Sequence, residues 1–181
     1  PLGAPPLGET VEDQANGSRK LARIAYNKAE WHHPTGSAGE QEADGTYNAQ
    51  NRFGHEEWLF RREWEIGDWR YGFIQGLNNS RKKYLGQPLD ITLYTMQPDG
   101  RRRLVATIYG LESLSDEQAA DALAVFKREG WLKVMQSEVR AIGGNAEALG
   151  DPKWAEHVLN VRFRMKNVEF FPPESYLPED D

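Results

Sequence analysis

The stretch Asn51-Arg52-Phe53-Gly54-His55-Glu56-Glu57-Trp58-Leu59-Phe60 sets one imidazole, two adjacent carboxylates and a glycine among aromatic side chains. Such groups can ligate a metal, move a proton or hydrogen-bond the edge of a nucleobase. A hydrolytic metal centre needs about three protein ligands. The remaining histidines, His32, His33 and His157, stand at no HExxH-like spacing, so no metal and no cofactor is expected. A plainer use of the same stretch is structural, with Gly54 in a turn, His55 and Glu56 bonding the backbone or each other, and Trp58 and Phe60 in the core. No Walker A sequence, GxGxxG after a strand or GxSxG elbow is present, and no catalytic residue is assigned.

Aromatic side chains are dense around this stretch. Trp31 stands in NKAEWHHP, and Trp58 is followed by Trp64, Trp69 and Tyr71 in REWEIGDWRYG. Aromatic rings stack on bases at roughly 1–3 kcal/mol each, and a flipped base is read by such rings together with polar groups at its edge. On this chemistry Trp31, Phe53, Trp58, Trp69 and Tyr71 are candidate stacking groups. Asn51, His55 and Glu56 are candidates for hydrogen bonds to the base. Phosphates would fall to Arg52, to Arg81, Lys82 and Lys83 after the loop Gly76-Leu77-Asn78-Asn79-Ser80, and to Arg101 and Arg102 at a hairpin tip. The plainer reading of each basic triplet is a solvated loop.

The elements that must position these residues are short apolar runs between turn signals. Strands are expected at residues 21–26, 58–60, 71–75, 91–96, 104–109 and 161–171. Gln97-Pro98-Asp99-Gly100 makes residues 91–109 a hairpin, because Pro presets the turn and Gly accepts a positive φ. Ser115 and Gln118 form a capping box ahead of Ala119, Leu123 and Phe126, which predicts a helix over 116–129. A second helix is expected over 131–141, stopped by Gly143-Gly144, and a short third piece near 151–157. In the last strand Val161, Phe163 and Met165 alternate with Arg162, Arg164 and Lys166, one apolar face and one basic. The fold class expected is α+β, a small curled antiparallel sheet or barrel with two to three packed helices.

The chain has 181 residues, enough for one domain. Its 39% hydrophobic content and 6 Trp, 7 Tyr and 7 Phe supply a core. Zero cysteines exclude disulfides and thiolate chemistry and suit a reducing cytoplasm. No apolar run is long enough to span a bilayer, so no membrane partner is expected. The net charge of −6 argues against an all-over nucleic-acid binder, yet bases outnumber acids between residues 51 and 110. Residues 1–18 read as a mobile lead-in, tag or linker, and a chain opening on Pro points to excision from something longer. Residues 19–171 form the expected domain, and 172–181 an acidic, proline-rich tail.

Three segments carry a resemblance. NRFGHEEWLF, WRYGFIQGLNNSRKKYLG and ITLYTMQPDGRRRLVATIYGLESL resemble an N-terminal module of bacterial HNH nucleases of the modification-dependent restriction kind. Phe53 takes the place of the tyrosine in a GYGHE-like motif that Gly54, His55 and Glu56 match, and Tyr71 to Gln75 look like its YGYVQ-like strand. The strand pattern ending ATIYGLESLSDE is also similar to PUA-like domains of the EVE and YTH types. The resemblance covers about a third of the chain. It implies a PUA-like domain that flips a modified base into an aromatic pocket, with DNA as partner and a fused or associated nuclease. Two other functions stay open on the residues: a small nucleic-acid enzyme using His55 and Glu56, and a protein–protein adaptor favoured by the negative charge.

Overall fold

In a computed structural model the structure describes residues 12–13, 19–36 and 45–179. The architecture is α+β. Its strands are β1 (Glu12–Asp13), β2 (Arg19–Ile24), β3 (Glu65–Ile66), β4 (Trp69–Gly72), β5 (Leu89–Met96), β6 (Arg102–Ser113), β7 (Val161–Phe163) and β8 (Val168–Phe170). Three α-helices stand among the described residues: α1 (Tyr47–Asn51), α2 (Asp116–Arg128) and α3 (Trp131–Ala141). No helix among them is long and apolar enough to cross a membrane.

The hairpin β5–β6 forms as its turn chemistry requires. Gly100 N–H donates to Gln97 O at 2.9 Å, and Gly100 has φ +85°. The strands run in the order β1-β2-β5-β6-β7-β4-β3, with β8 also paired to β6. The sheet is therefore open and not a barrel, and it is mixed and not antiparallel, since β2 runs parallel to β5 with Leu21 opposite Thr92. Alternation within a strand reports which side chains are buried but not which way a distant partner runs. The curl comes from β6. One of its edges pairs β8 at Ala106–Ile108 and then β7 at Glu112–Ser113, while the other follows β5. Between those two pairings Gly110 takes φ +68°, and its N–H donates to Asp90 Oδ1 at 3.1 Å beside a register shift in β5.

Several expected boundaries move. Residues 58–60 are not a strand: His55–Trp58 form a turn of 3₁₀ helix, because the Glu57 carboxylate takes the Gly54 N–H three residues back at 3.0 Å. The expected strand 161–171 is split into β7 and β8 by a turn at Met165–Asn167. The helix after Ser115 keeps its capping box, and α3 has the expected bounds. Within the expected lead-in, Glu12–Asp13 pair antiparallel with Lys20 and Leu21. The rest of residues 1–18 lies outside the described residues, as do 37–44 and 180–181. The tail lies along the hairpin, with Leu104 N–H donating to Ser175 O at 2.8 Å and Leu177 N–H to Arg102 O at 2.9 Å.

Two apolar clusters form the core. One is built by the sheet around Ile91, Leu93, Ala106 and Ile108, the other by α2 and α3 around Leu123, Phe126, Met135 and Val139. The segment 53–64 serves both, giving Leu59 and Phe60 to the first and Phe53, Trp58 and Trp64 to the second. Asn160 joins the exit of β4 to β7. Fully buried, it accepts from Ile74 N–H at 2.8 Å and donates to Ile74 O at 2.9 Å through its side chain, and its own N–H donates to Gly72 O at 2.8 Å. Asn160→Ala leaves the buried Ile74 N–H without a partner, while Ile74 O keeps Leu77 N–H at 3.1 Å, so urea unfolding should show a loss of about 1–3 kcal/mol.

Candidate functional site

A cavity of about 510 Å³ opens where the end of β2, α1, the His55–Trp58 turn and the segment after β4 meet. This is the size of a small-ligand site. The sequence supplies each wall for a local reason. Thr46 caps α1, accepting from Ala49 N–H at 3.3 Å, and so presents Tyr47 and Asn48. Gly54 allows the close approach of Asn48, since a Cβ there would meet its side-chain amide at 2.9 Å and displace it. The hold of Asn160 on Ile74 sets Phe73 and Gln75 on either side of it.

Glu56 ties two of these walls together. Its carboxylate accepts Ala25 N–H at 2.7 Å and Gln75 N–H at 3.0 Å, one oxygen for each. Glu57, with no exposure, accepts Gly54 N–H at 3.0 Å, the Asn27 side-chain amide at 3.0 Å and Thr35 N–H at 3.3 Å. Burial nevertheless pushes Glu57 up to about 7, the hydrogen bonds opposing that rise.

The apolar side of the cavity is aromatic. The Tyr47 ring lies 5.2 Å from that of His55 at 34°, and His55 lies 5.4 Å from Phe73 at 58°. Phe53 backs His55 at 5.2 Å. Burial, and secondarily the nearby His157, push His55 down to about 3, so its imidazole is neutral at physiological pH. Its Nε2 is buried with no hydrogen-bond partner. Burial raises the Tyr47 hydroxyl to about 12. Asn48, Gln75 and Asn78 add amide groups, and Arg23 and His157 complete the lining.

The candidate residues divide sharply. His55 and Glu56 line the cavity, whereas Asn51, Trp69 and Tyr71 do not. Trp31, Phe53 and Trp58 have at most 2% exposure and belong to the core, where no ring face is left for a base. Trp31 Nε1 donates to Ala25 O at 2.8 Å and Trp58 Nε1 to Glu138 Oε1 at 3.1 Å. The Asn51 side chain binds Tyr47 O and Asn145, anchoring α1 to the loop after α3. Trp69 and Tyr71 are half-buried on β4, Tyr71 packing against the helix cluster, with Arg164 3.8 Å and Arg162 4.3 Å from the Trp69 ring and Arg162 Nη1 donating to Tyr71 Oη at 3.3 Å.

Among the expected phosphate ligands, Arg81 and Arg102 are buried and committed to the protein. Arg81 donates to Leu114 O at 2.9 Å and to Asp116 at 2.6 Å, and Arg102 donates to Pro178 O. Arg101 is paired with Asp99 at 2.8 Å and lies 4.3 Å from the Tyr176 ring. Arg52, Lys82 and Lys83 are exposed. Residues of the cavity that sequence reading passed over include Arg23, Tyr47, Phe73 and His157. Tyr47 carries one signal, as the lone aromatic in a long polar stretch. Trp154 is 51% exposed, and its ring lies 5.6 Å from that of His157 at the cavity. Among the described residues no three His, Asp or Glu side chains gather as a metal site. Compared with family models, with curated proteins and with solved structures, the chain finds no match in any of the three.

The two shifted groups of the 54–57 turn act on stability in opposite directions. Folded Glu57 keeps a proton up to about pH 7 that the unfolded chain loses above 4.5, so its contribution falls as pH rises through that window. Folded His55 stays neutral down to about 3 while the unfolded chain protonates below 6.5, so its contribution rises with pH. Each slope reaches about 1.4 kcal/mol per pH unit. Over the shared window, Glu57→Gln should show stability rising with pH relative to wild type and His55→Asn stability falling, read from urea midpoints across a pH series.

Proposed function

We propose that this chain is a noncatalytic recognition domain that takes one nucleobase, turned out of its stack, into the cavity beside Tyr47. The observation that carries the reading is the aromatic wall Tyr47–His55–Phe73 facing a cavity edged by Asn48, Gln75 and Asn78. A base needs both parts, ring faces to stack on and donors and acceptors at its edge. The neutral state of His55 favours this use, since an uncharged imidazole joins an aromatic wall without a charge to desolvate.

Glu56 has a structural use at the same place, since each of its two oxygens accepts a backbone amide, from Ala25 and from Gln75. Together with the resemblance of residues 51–115, these features favour a PUA-like specificity module of a modification-dependent restriction system, acting on DNA that carries a modified base in the cytoplasm. In this reading a fused or associated nuclease cuts what the domain recognises. Trp154 stands at the rim as an exposed ring for a neighbouring base.

Fluorescence anisotropy tests this with unmodified, 5-methylcytosine, 5-hydroxymethylcytosine, N6-methyladenine and phosphorothioate duplexes at two salt concentrations. One modified duplex should bind about tenfold or more tighter than the unmodified one, a difference of about 1.4 kcal/mol. Tyr47→Ala should remove about 1–3 kcal/mol from binding of that duplex, whereas Trp58→Phe should leave it unchanged in a folded protein. Equal or absent binding across the panel would defeat the reading and favour a protein partner.

A further inference from the structure

The arginines of this chain are mostly spent on the chain itself. Arg61 binds Glu138 at 3.0 Å, Arg103 binds Glu30 at 3.0 Å and Arg162 binds Glu112 at 2.7 Å, in addition to the pairs of Arg81 and Arg101. Arg23 differs. It stands on β2, half-buried at the cavity wall, and no carboxylate, carbonyl or ring among the described residues is in contact with its guanidinium. Among the described residues of the lining the carboxylate is that of Glu56, which accepts the two backbone amides of Ala25 and Gln75.

The cavity thus joins an aromatic wall to a planar cation that has no ion-pair partner among the described residues. A ligand that satisfies both has a flat ring and, within a few ångströms of it, an anionic group. The fork of an arginine matches two oxygens of a phosphate, and a partly desolvated guanidinium gains more from such a pair than an exposed one. Of the other cationic residues in the lining, His55 is neutral at physiological pH, and His157 is exposed and lies 3.7 Å from Glu156. Arg23 is left as the permanent charge facing the ligand.

We propose that Arg23 binds the phosphate of the nucleotide whose base enters the cavity, so that the site recognises a nucleotide and not a free base or nucleoside. The proposal rests on the base-binding reading above. It also relocates the phosphate contact from the basic triplets, Arg81–Lys83 and Arg101–Arg103, to Arg23 on β2.

Amide chemical-shift titration of the whole chain tests it, using deoxynucleoside 5′- and 3′-monophosphates of cytosine, 5-methylcytosine, adenine and N6-methyladenine, each beside its nucleoside, and inorganic phosphate alone. At least one monophosphate should bind about tenfold or more tighter than its nucleoside, as a charge-assisted pair implies. Arg23→Ala should abolish that difference, and Arg23→Lys should restore part of it. Equal affinity of nucleotide and nucleoside overturns the proposal and leaves the base-binding reading standing. Inorganic phosphate binding as tightly as any nucleotide also overturns it. Failure of both nucleosides and nucleotides to bind overturns the proposal together with the reading.

Discussion

Two neighbouring carboxylates, Glu56 and Glu57, are taken out of water at the point where the sheet cluster and the helix cluster share a segment of chain, and each is held there by donors from parts of the sequence far from it. Burying a charge costs several kcal/mol unless hydrogen bonds replace the lost water. Here backbone N–H groups at Ala25, Gln75, Gly54 and Thr35 and the Asn27 amide do so. The constraint works in both directions. The donors satisfy the acids, and the acids fix where β2 ends, where the chain turns after β4 and how the His55–Trp58 turn closes. Those three places are walls of the cavity, so its shape depends on this exchange of hydrogen bonds.

The same turn sets the electrostatics of the site. Glu57 is raised and His55 is lowered by burial, so both lean toward their neutral forms in a place with little water. A cavity that keeps a neutral imidazole, amide side chains and rings on its walls is suited to reading donors and acceptors. Arg23 is the permanent charge in the lining without a partner among the described residues, and Glu56 is the carboxylate already engaged.

Aromatic and cationic residues are abundant in this sequence, and their division between structure and surface follows from packing. A domain of this size has two clusters to fill, and Trp31, Phe53, Trp58 and Phe60 go into them, with the indole N–H groups of Trp31 and Trp58 satisfied by Ala25 O and Glu138. Arg81 ties the turn at Arg81–Tyr84 to Leu114 and the start of α2, and Arg102 ties the tail to the hairpin. Among the rings left exposed are Tyr47, Trp154 and Phe170, while Trp69 on β4 is half-buried under two arginines.

The amino-acid order by itself determined whatever depends on neighbours a few residues apart. The turn at Gln97–Gly100, the capping box at Ser115 and Gln118, the stop after Ala141 and the apolar and basic faces of Val161 to Arg164 all rest on local sterics, local hydrogen bonds or period, and all are present in the structure. His55 and Glu56, candidates in the sequence as an imidazole and a carboxylate beside a glycine, both line the cavity. The tertiary structure alone decided the parallel pairing of β2 with β5, the open edges of the sheet and the company His55 keeps. Arg23, Tyr47, Phe73 and His157 come from four separate stretches of chain, and each looks ordinary where it stands. Whether a tryptophan is core or surface, and whether an arginine is paired, is settled by contacts between residues distant in sequence, and local pattern carries no information about those.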